Sequence, residues 1–202
     1  LPDLRKQFGP FLHSDHQTIT FVRRPPFWLD VDELLAAQHL WQRGAPLAET
    51  AADQLEAALR LYTGEFLAGL NLPDAPAFED WLLMQREYLR EQALTGLSAL
   101  TEYFIQTGQV RRGLATTQQL LALEPWQESA YEQRMVLLAW NGDRTAALHL
   151  YDVCKQVLVD EFGLPPNDKI TDLYERIKAG KFEPPSVSVQ SAAHPKHEPT
   201  PL

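Results

Sequence analysis

The chain has 202 residues, 45% of them hydrophobic and 22% charged, and a formal net charge of −9. This apolar fraction suits a folded core, whereas the negative charge argues against a nucleic-acid surface along the whole chain. A single cysteine, Cys154, excludes an internal disulfide, and no apolar run approaches the roughly 18 residues of a membrane span. We therefore expect a cytoplasmic protein that does not engage a membrane.

The first 30 residues combine the end of a helix with a β-hairpin. A Gly-Pro pair at residues 9–10 stops a helical pattern, and residues 11–12 and 18–22 read as strands because they are apolar, aromatic or β-branched. Residues 13–17 form the predicted turn. Such a unit is too small to fold alone. Because the chain opens at Leu1 inside this pattern, we expect it to be cut from a longer polypeptide.

Helical periodicity dominates the chain after residue 30. One helix is predicted over residues 33–43 with Asp32 as its cap, and a second helix follows Thr50. Apolar residues then recur at helical spacing over residues 78–104, as one long helix or two abutting ones. The predicted fold class is therefore mainly α, a tetratricopeptide-like helical array with a small N-terminal β-hairpin.

Two glycines, Gly108 and Gly142, each end a helical pattern and lie 34 residues apart, which is the tetratricopeptide period. A second amphipathic run follows each glycine, over residues 110–123 and 144–159. The residue five positions after each glycine is small, Gly113 and Ala147, and we expect paired helices to approach closely there. Units of this kind bury their apolar faces only by stacking, and their usual product is a binding surface.

The last predicted helix lies around residues 170–177, with Gly180 as its stop. The segment that follows is rich in proline and serine and reads as a linker or disordered tail. Four side chains of the helical part recur at inward spacing and are predicted to lie in its core: Trp81, Leu100, Leu148 and Tyr151.

No group of residues carries a catalytic pattern. His13, Asp15 and His16 are close enough in sequence for a metal site, but a polar hairpin turn explains them better. Cys154 lies on an apolar helical face beside Tyr151, so a buried thiol is favoured over a nucleophile. No glycine loop of the phosphate-binding kind occurs. The sequence therefore predicts neither an enzyme nor a metal or cofactor site.

Six short strings in a fixed order resemble a known family. They are Leu61-Tyr62-x-Gly64-x-Phe66-Leu67, Phe78-Glu79-x-Trp81, Arg86-x-x-Leu89, Glu124-Pro125-x-x-Glu128, Gly142-x-x-x-Ala146-Ala147-Leu148-x-x-Tyr151 and Leu158-x-x-Glu161-Phe162-Gly163-x-x-Pro166. Over roughly residues 30–180 the chain resembles the bacterial transcriptional activator domain of antibiotic-regulatory-type activators. That resemblance implies a tetratricopeptide-like helical module.

In that family the activator domain directly follows a winged-helix DNA-binding domain, and the start of this chain resembles the end of such a domain. Residues 4–6 resemble the end of its recognition helix, and residues 17–21 and 27–31 resemble the wing and its exit. The implied parts are a C-terminal winged-helix fragment over residues 1–30, the activator domain over 31–180, and a linker or tail over 181–202.

The basic residues of the first part are candidates for contacts with DNA phosphates, which position a protein on DNA without reading its sequence. They are Arg5, Lys6, Arg23 and Arg24. The alternative is an ordinary solvated surface. Residues 1–32 carry four basic and four acidic side chains, so the net charge of −9 falls in residues 33–202. That part should repel DNA and suits protein partners better.

A partner groove is predicted along the first helices of the two repeat units. The residues that face it by helical register are Thr95, Ser98, Glu102 and Gln106 from one unit, and Ser129, Glu132, Val136 and Trp140 from the next. The alternative is that flanking helices cover this groove. Three residues depart from the repeat pattern, Arg134 where an apolar residue is usual, and Thr101 and Met135 where a small one is common.

These observations favour a fragment of a transcriptional regulator. The resemblance implies that the helical domain contacts proteins, namely a second copy, RNA polymerase or an adjacent signalling domain. It also implies that the complete winged helix of the full-length protein binds DNA. The alternative is a tetratricopeptide scaffold with no direct DNA role. The hairpin with its paired arginines separates the two, because a scaffold has no need of it.

Overall fold

The computed structural model describes residues 6–15, 18–23, 26–42 and 47–185, and it is mainly α-helical with one small hairpin. The strands are β1 (Leu12–Ser14) and β2 (Ile19–Phe21). Residues 6–8 are helical, and a short 3-10 helix (Gly9–Phe11) leads into β1. The α-helices that follow the hairpin are α1 (Asp30–Ala36), α2 (His39–Gln42), α3 (Glu49–Leu59), α4 (Pro76–Gln106), α5 (Val110–Leu123), α6 (Glu128–Trp140), α7 (Arg144–Phe162) and α8 (Asp168–Lys178). The predicted fold class is confirmed.

The hairpin lies where the sequence predicts it, and its two strands pair antiparallel. The Asp15 carboxylate holds the turn closed by accepting two hydrogen bonds from Thr18, one from the backbone N–H at 2.6 Å and one from the hydroxyl at 2.8 Å. β1 runs through Ser14, so the turn is shorter than the predicted residues 13–17. His16, the third residue of the metal alternative, lies outside the described residues.

The single helix predicted over residues 33–43 is wrong, because the chain forms the two short helices α1 and α2 there. At the break, the Gln38 N–H donates to the carbonyl of Leu35, three residues back, at 3.1 Å. The Gln38 side chain donates to the side-chain oxygen of Gln92 in α4 at 2.6 Å and so ties the break to a neighbouring helix. Asp32 lies within the first turn of α1 rather than capping it.

The pattern over residues 78–104 belongs to one helix, α4, which is 31 residues long. The connector that precedes α4 is attached to it by Arg86. Its Nε and Nη2 atoms donate to the carbonyl oxygens of Phe66 and Leu67, both at 2.9 Å. Through these bonds one guanidinium fixes an irregular loop against the start of the long helix.

The predicted repeat pairs are α4 with α5 and α6 with α7. The glycines that end the first helices, Gly108 and Gly142, have φ of 70° and 85°, the left-handed conformation that suits glycine at a helix end. Gly113 is buried where α5 meets both α4 and α6, and a Cβ there would lie 2.9 Å from a methyl carbon of Leu137 in α6 and 3.4 Å from the nearest side-chain atom of α4. Ala147 is fully buried in α7, the second helix of the other pair.

The predicted core residues divide into three groups. Leu100 is confirmed, since it is buried in a core formed chiefly by α1, α3, α4 and α5. Leu148 and Tyr151 are half-buried and pack against a second core formed by α6, α7 and α8. The prediction for Trp81 is wrong: its side chain is 45% exposed, whereas the adjacent Leu82 is 1% exposed. Consecutive helical residues lie about 100° apart, so burying Leu82 turns Trp81 to the edge.

The last helix, α8, follows the predicted boundaries closely. The Asn167 side chain caps it by accepting from the N–H of Ile170 at 3.1 Å, and Gly180 ends it with φ of 70°. Just beyond α8, Phe182 packs against the second core, so the second residue of the predicted tail contacts the folded part. Residues 186–202 lie outside the described part of the chain.

Candidate protein-interaction and DNA-contact surfaces

The α4 half of the predicted partner groove is solvent-accessible. Thr95, Glu102 and Gln106 are exposed and Ser98 is half-buried. Their hydrogen bonds stay within α4: the hydroxyls of Thr95 and Ser98 donate to carbonyls one turn back, and Gln106 donates to Glu102 at 3.3 Å. These side chains therefore form one exposed polar face along the C-terminal half of α4.

The α6 half of the predicted groove is partly covered by α8. Glu132 forms an ion pair with Lys169 of α8, with 3.4 Å between the carboxylate oxygen and Nζ. Val136 is half-buried against the second core, Trp140 is half-buried, and Ser129 is exposed. The two halves of the predicted set thus differ, because α8 contacts one of them and leaves the other open.

The exposed face of α4 continues toward the N-terminus as an apolar stripe that the sequence analysis missed. It consists of Trp81, Met84 and Tyr88, which are 45%, 71% and 39% exposed, and we call it the α4 stripe. Their spacing of three and four residues places them on one helical face, and Thr95 lies two turns beyond Tyr88 on the same face. The α4 stripe and the polar set therefore share one side of the helix.

A second apolar face of α4 explains why the stripe was missed. Leu82 and Leu89 are buried in register with one another, one residue after Trp81 and Tyr88. Helical spacing alone does not show which member of each neighbouring pair is buried, and Trp81 was therefore predicted to face the core. Two apolar stripes one residue apart are the sequence signal of a helix that has one buried apolar face and one exposed apolar face.

The candidate DNA contacts are only partly described. Lys6 is exposed, and Arg23 forms an ion pair with Asp32 of α1 at 3.2 Å while its side chain stays 64% exposed. Arg5 and Arg24 lie outside the described residues. An exposed ion pair contributes little to stability, so breaking the Arg23–Asp32 pair to bind another anion, such as a DNA phosphate, would cost little free energy.

The three departures from the repeat pattern are accommodated inside the helical stack. Arg134 donates from Nη1 to the Leu114 carbonyl at 2.6 Å and to the Thr117 hydroxyl at 3.2 Å, and partial burial lowers its pKa. Thr101 and Met135 are fully buried. Larger residues thus fill positions where small ones are common, and Arg134 bridges α6 to α5 through uncharged acceptors.

The described residues offer little reactive chemistry. Cys154 is fully buried, and burial, with a smaller contribution from the Glu128 charge, raises the pKa of its thiol to about 12. A thiol with that pKa stays protonated at neutral pH and is a poor nucleophile. Within the described ranges, no three His, Cys, Asp or Glu side chains gather as a metal site requires. No helix there is long and apolar enough to cross a membrane.

Comparison with known proteins places this architecture in a family. Residues 29–178 match the family described as "Bacterial transcriptional activator domain". The regulatory protein AfsR of Streptomyces coelicolor is 31% identical over 127 residues, which cover 63% of this chain and 12% of AfsR. The transcriptional regulatory protein MoaR1 of Mycobacterium tuberculosis is 27% identical over 150 residues, covering 73% of this chain and 46% of MoaR1.

A solved structure shares the fold. Mycobacterium tuberculosis EmbR, determined in complex with a low-affinity phosphopeptide, superimposes with a TM-score of 0.57 and 23% sequence identity, over 90% of this chain and 48% of EmbR. The chain thus spans less than half the length of each of these relatives. Since the family match covers most of its residues, the chain belongs to the bacterial transcriptional activator domain family.

Proposed function

We propose that this chain is part of a transcriptional regulator. In this proposal, residues 31–180 are the protein-interaction domain, residues 1–30 are the C-terminal fragment of a DNA-binding winged helix, and residues 181–202 are a linker. The observation that carries the proposal is a hairpin, flanked by basic residues, that directly precedes a helical domain of the activator family. Two relatives, AfsR and MoaR1, are named as regulatory proteins.

The hairpin supports this reading through its uncovered apolar side chains. Phe21 stacks on Phe11 with 5.8 Å between ring centroids, yet Phe21 itself remains exposed, as does Ile19 on the same strand. Apolar side chains gathered on a small sheet usually pack against further elements. Such a face fits a fragment that completes its core with the remainder of a winged-helix domain.

The charge distribution supports protein partners for the helical domain. The net charge of −9 falls in residues 33–202, so this part adds little affinity for DNA phosphates. We expect its partners to be a second copy, RNA polymerase or an adjacent signalling domain. DNA is bound through the complete winged helix of the full-length protein, and the site of action is the cytoplasm.

A salt series of DNA-binding isotherms tests the proposal. In the full-length protein, Arg23→Ala should weaken binding to all sequences alike and reduce the salt slope by about 1, because one phosphate contact is lost. Arg60→Ala is the matched control: Arg60 is also ion-paired and its side chain is 67% exposed, but it lies on the helical domain. This control should leave affinity and slope unchanged.

The same salt series of DNA-binding isotherms, measured on residues 1–202 alone, tests the winged-helix assignment separately. Weak binding without sequence preference is expected, because the base-reading part of the recognition helix would precede Leu1. Tight, sequence-selective binding by residues 1–202 would contradict the winged-helix assignment. A full-length protein that binds no DNA would favour the tetratricopeptide scaffold instead.

A further inference from the structure

We propose that the α4 stripe of Trp81, Met84 and Tyr88 binds a basic amphipathic helix of a partner protein. This inference rests on the proposed function, because it assigns a partner chemistry to the interaction domain. It also places the contact on the N-terminal half of α4, beyond the polar set predicted from the sequence.

The shape of the stripe fits a helix. Trp81 and Tyr88 are seven residues apart, which is about 10 Å or two helical turns, with Met84 between them. A partner helix presents its own apolar anchors at the same two-turn spacing when it docks along such a ridge. The stripe is held in place from below, because the Trp81 ring contacts Phe78 and Phe66 with centroid distances of 5.5 and 6.2 Å.

Carboxylates line one edge of the stripe. Asp80, Glu87 and Glu91 recur at helical spacing beside Met84, and all three are exposed. Within the described part of the chain, Asp80 and Glu91 form no ion pair, and Glu87 pairs only with Arg90 at 3.4 Å. The edge therefore carries a negative potential that a cationic partner would neutralise.

The arginines on α4 near the stripe are already engaged. Arg86 binds two connector carbonyls and lies 3.6 Å from Glu65. Arg90 reaches Glu124 at 3.7 Å in addition to Glu87. A second copy of the chain would bring the same carboxylate edge to this surface. Charge complementarity therefore favours a partner that supplies lysine or arginine, rather than self-association.

A designed peptide provides the probe. It is an acetylated 18-residue helix with leucine on one face and lysine on the other, compared with the same peptide carrying glutamate in place of lysine. Fluorescence anisotropy of the labelled peptides with residues 1–202 should show binding of the lysine peptide only. Met84→Gln should weaken that binding about tenfold, because Met84 is a central apolar contact of the stripe.

The matched control variant lies on the same helix. Leu83 is 68% exposed, close to the 71% of Met84, but it points about 100° away from the stripe. Leu83→Gln should leave the affinity unchanged. Asp80→Asn combined with Glu91→Gln should weaken binding about threefold at low salt and flatten its salt dependence.

Three outcomes would overturn the inference. They are no binding of the lysine peptide, equal losses in Met84→Gln and Leu83→Gln, and sedimentation showing a dimer that Met84→Gln dissociates. Circular dichroism of each variant confirms that the helices are intact. Because DNA plays no part in this assay, its failure leaves the DNA-binding result of the proposed function standing, and the converse also holds.

Discussion

At the scale of single residues, Arg112 shows a contact that sequence periodicity does not reveal. Its Nη2 atom lies 2.6 Å from an Asp53 oxygen and 2.5 Å from a Glu56 oxygen, both on α3, and its guanidinium lies 4.5 Å from the centre of the Phe104 ring. The two carboxylates are more than 50 residues away from Arg112 along the chain. Local patterns predict which residues are helical, whereas such a bridge depends on how the helices pack.

Trp81 and Leu82 give a direct test of which face of α4 is buried. Leu82→Ala should lower the free energy of unfolding by about 2–4 kcal/mol, because it removes a fully packed side chain. Trp81→Ala should cost only about 1 kcal/mol, since it loses mainly ring contacts with Phe66 and Phe78. Urea denaturation measures both, and a larger loss for Trp81→Ala would show that the register is wrong.

The buried thiol of Cys154 predicts a pH dependence of stability. The pKa is raised to about 12 in the folded chain, whereas an unfolded thiol has a pKa of about 8.5. Above that lower value the unfolded chain loses the proton and the folded chain keeps it, so stability falls as pH rises.

The comparison variant for this effect is Cys154→Ala, which removes the titrating group. Between pH 8 and pH 10 the unmodified chain should lose about 1–2 kcal/mol more stability than Cys154→Ala does. Denaturation midpoints at the two pH values give the difference. Parallel pH profiles for the two chains would mean that the thiol is ionised in the folded state or is not buried.

At the scale of elements, helix boundaries were predictable where local signals set them. α5 spans the predicted residues 110–123, because Gly108 before it and Pro125 after it act through their own backbone conformations. The break between α1 and α2 was not predictable. At this break Gln38 is hydrogen-bonded to Gln92, 54 positions away along the chain, and local sequence signals do not reveal such a contact.

The cap of α8 is a testable local signal of this kind. Asn167→Ala should cost about 1 kcal/mol, because the first turn of α8 loses the side-chain oxygen that accepts from Ile170. Asn141→Ala is the control, since Asn141 is an exposed asparagine at the C-terminal end of α6, whereas Asn167 lies at the N-terminal end of α8. If chemical denaturation shows equal losses for both variants, the cap does not contribute to stability.

At the scale of the whole molecule, the sequence predicted the fold class and the repeat pairs better than it predicted which side chains along α4 and α6 are exposed. Thr95, Glu102 and Gln106 are exposed as expected, because polar residues on a helix face solvent wherever no neighbour covers them. The cover that α8 gives Glu132 and the exposure of Met84 both depend on where other helices lie. The positions of those helices are set by tertiary packing, which the periodicity of a sequence does not reveal.

The central claim is that this chain belongs to a regulator that acts on transcription from DNA. The most direct measurement is in vitro transcription with the full-length protein and RNA polymerase, on a genomic fragment that the protein itself selects. The account predicts that transcript yield rises with bound protein, that Arg23→Ala shifts the response to higher protein concentration, and that Arg60→Ala does not. Unchanged transcript yield on a template saturated with protein, or failure to select any fragment, would contradict it.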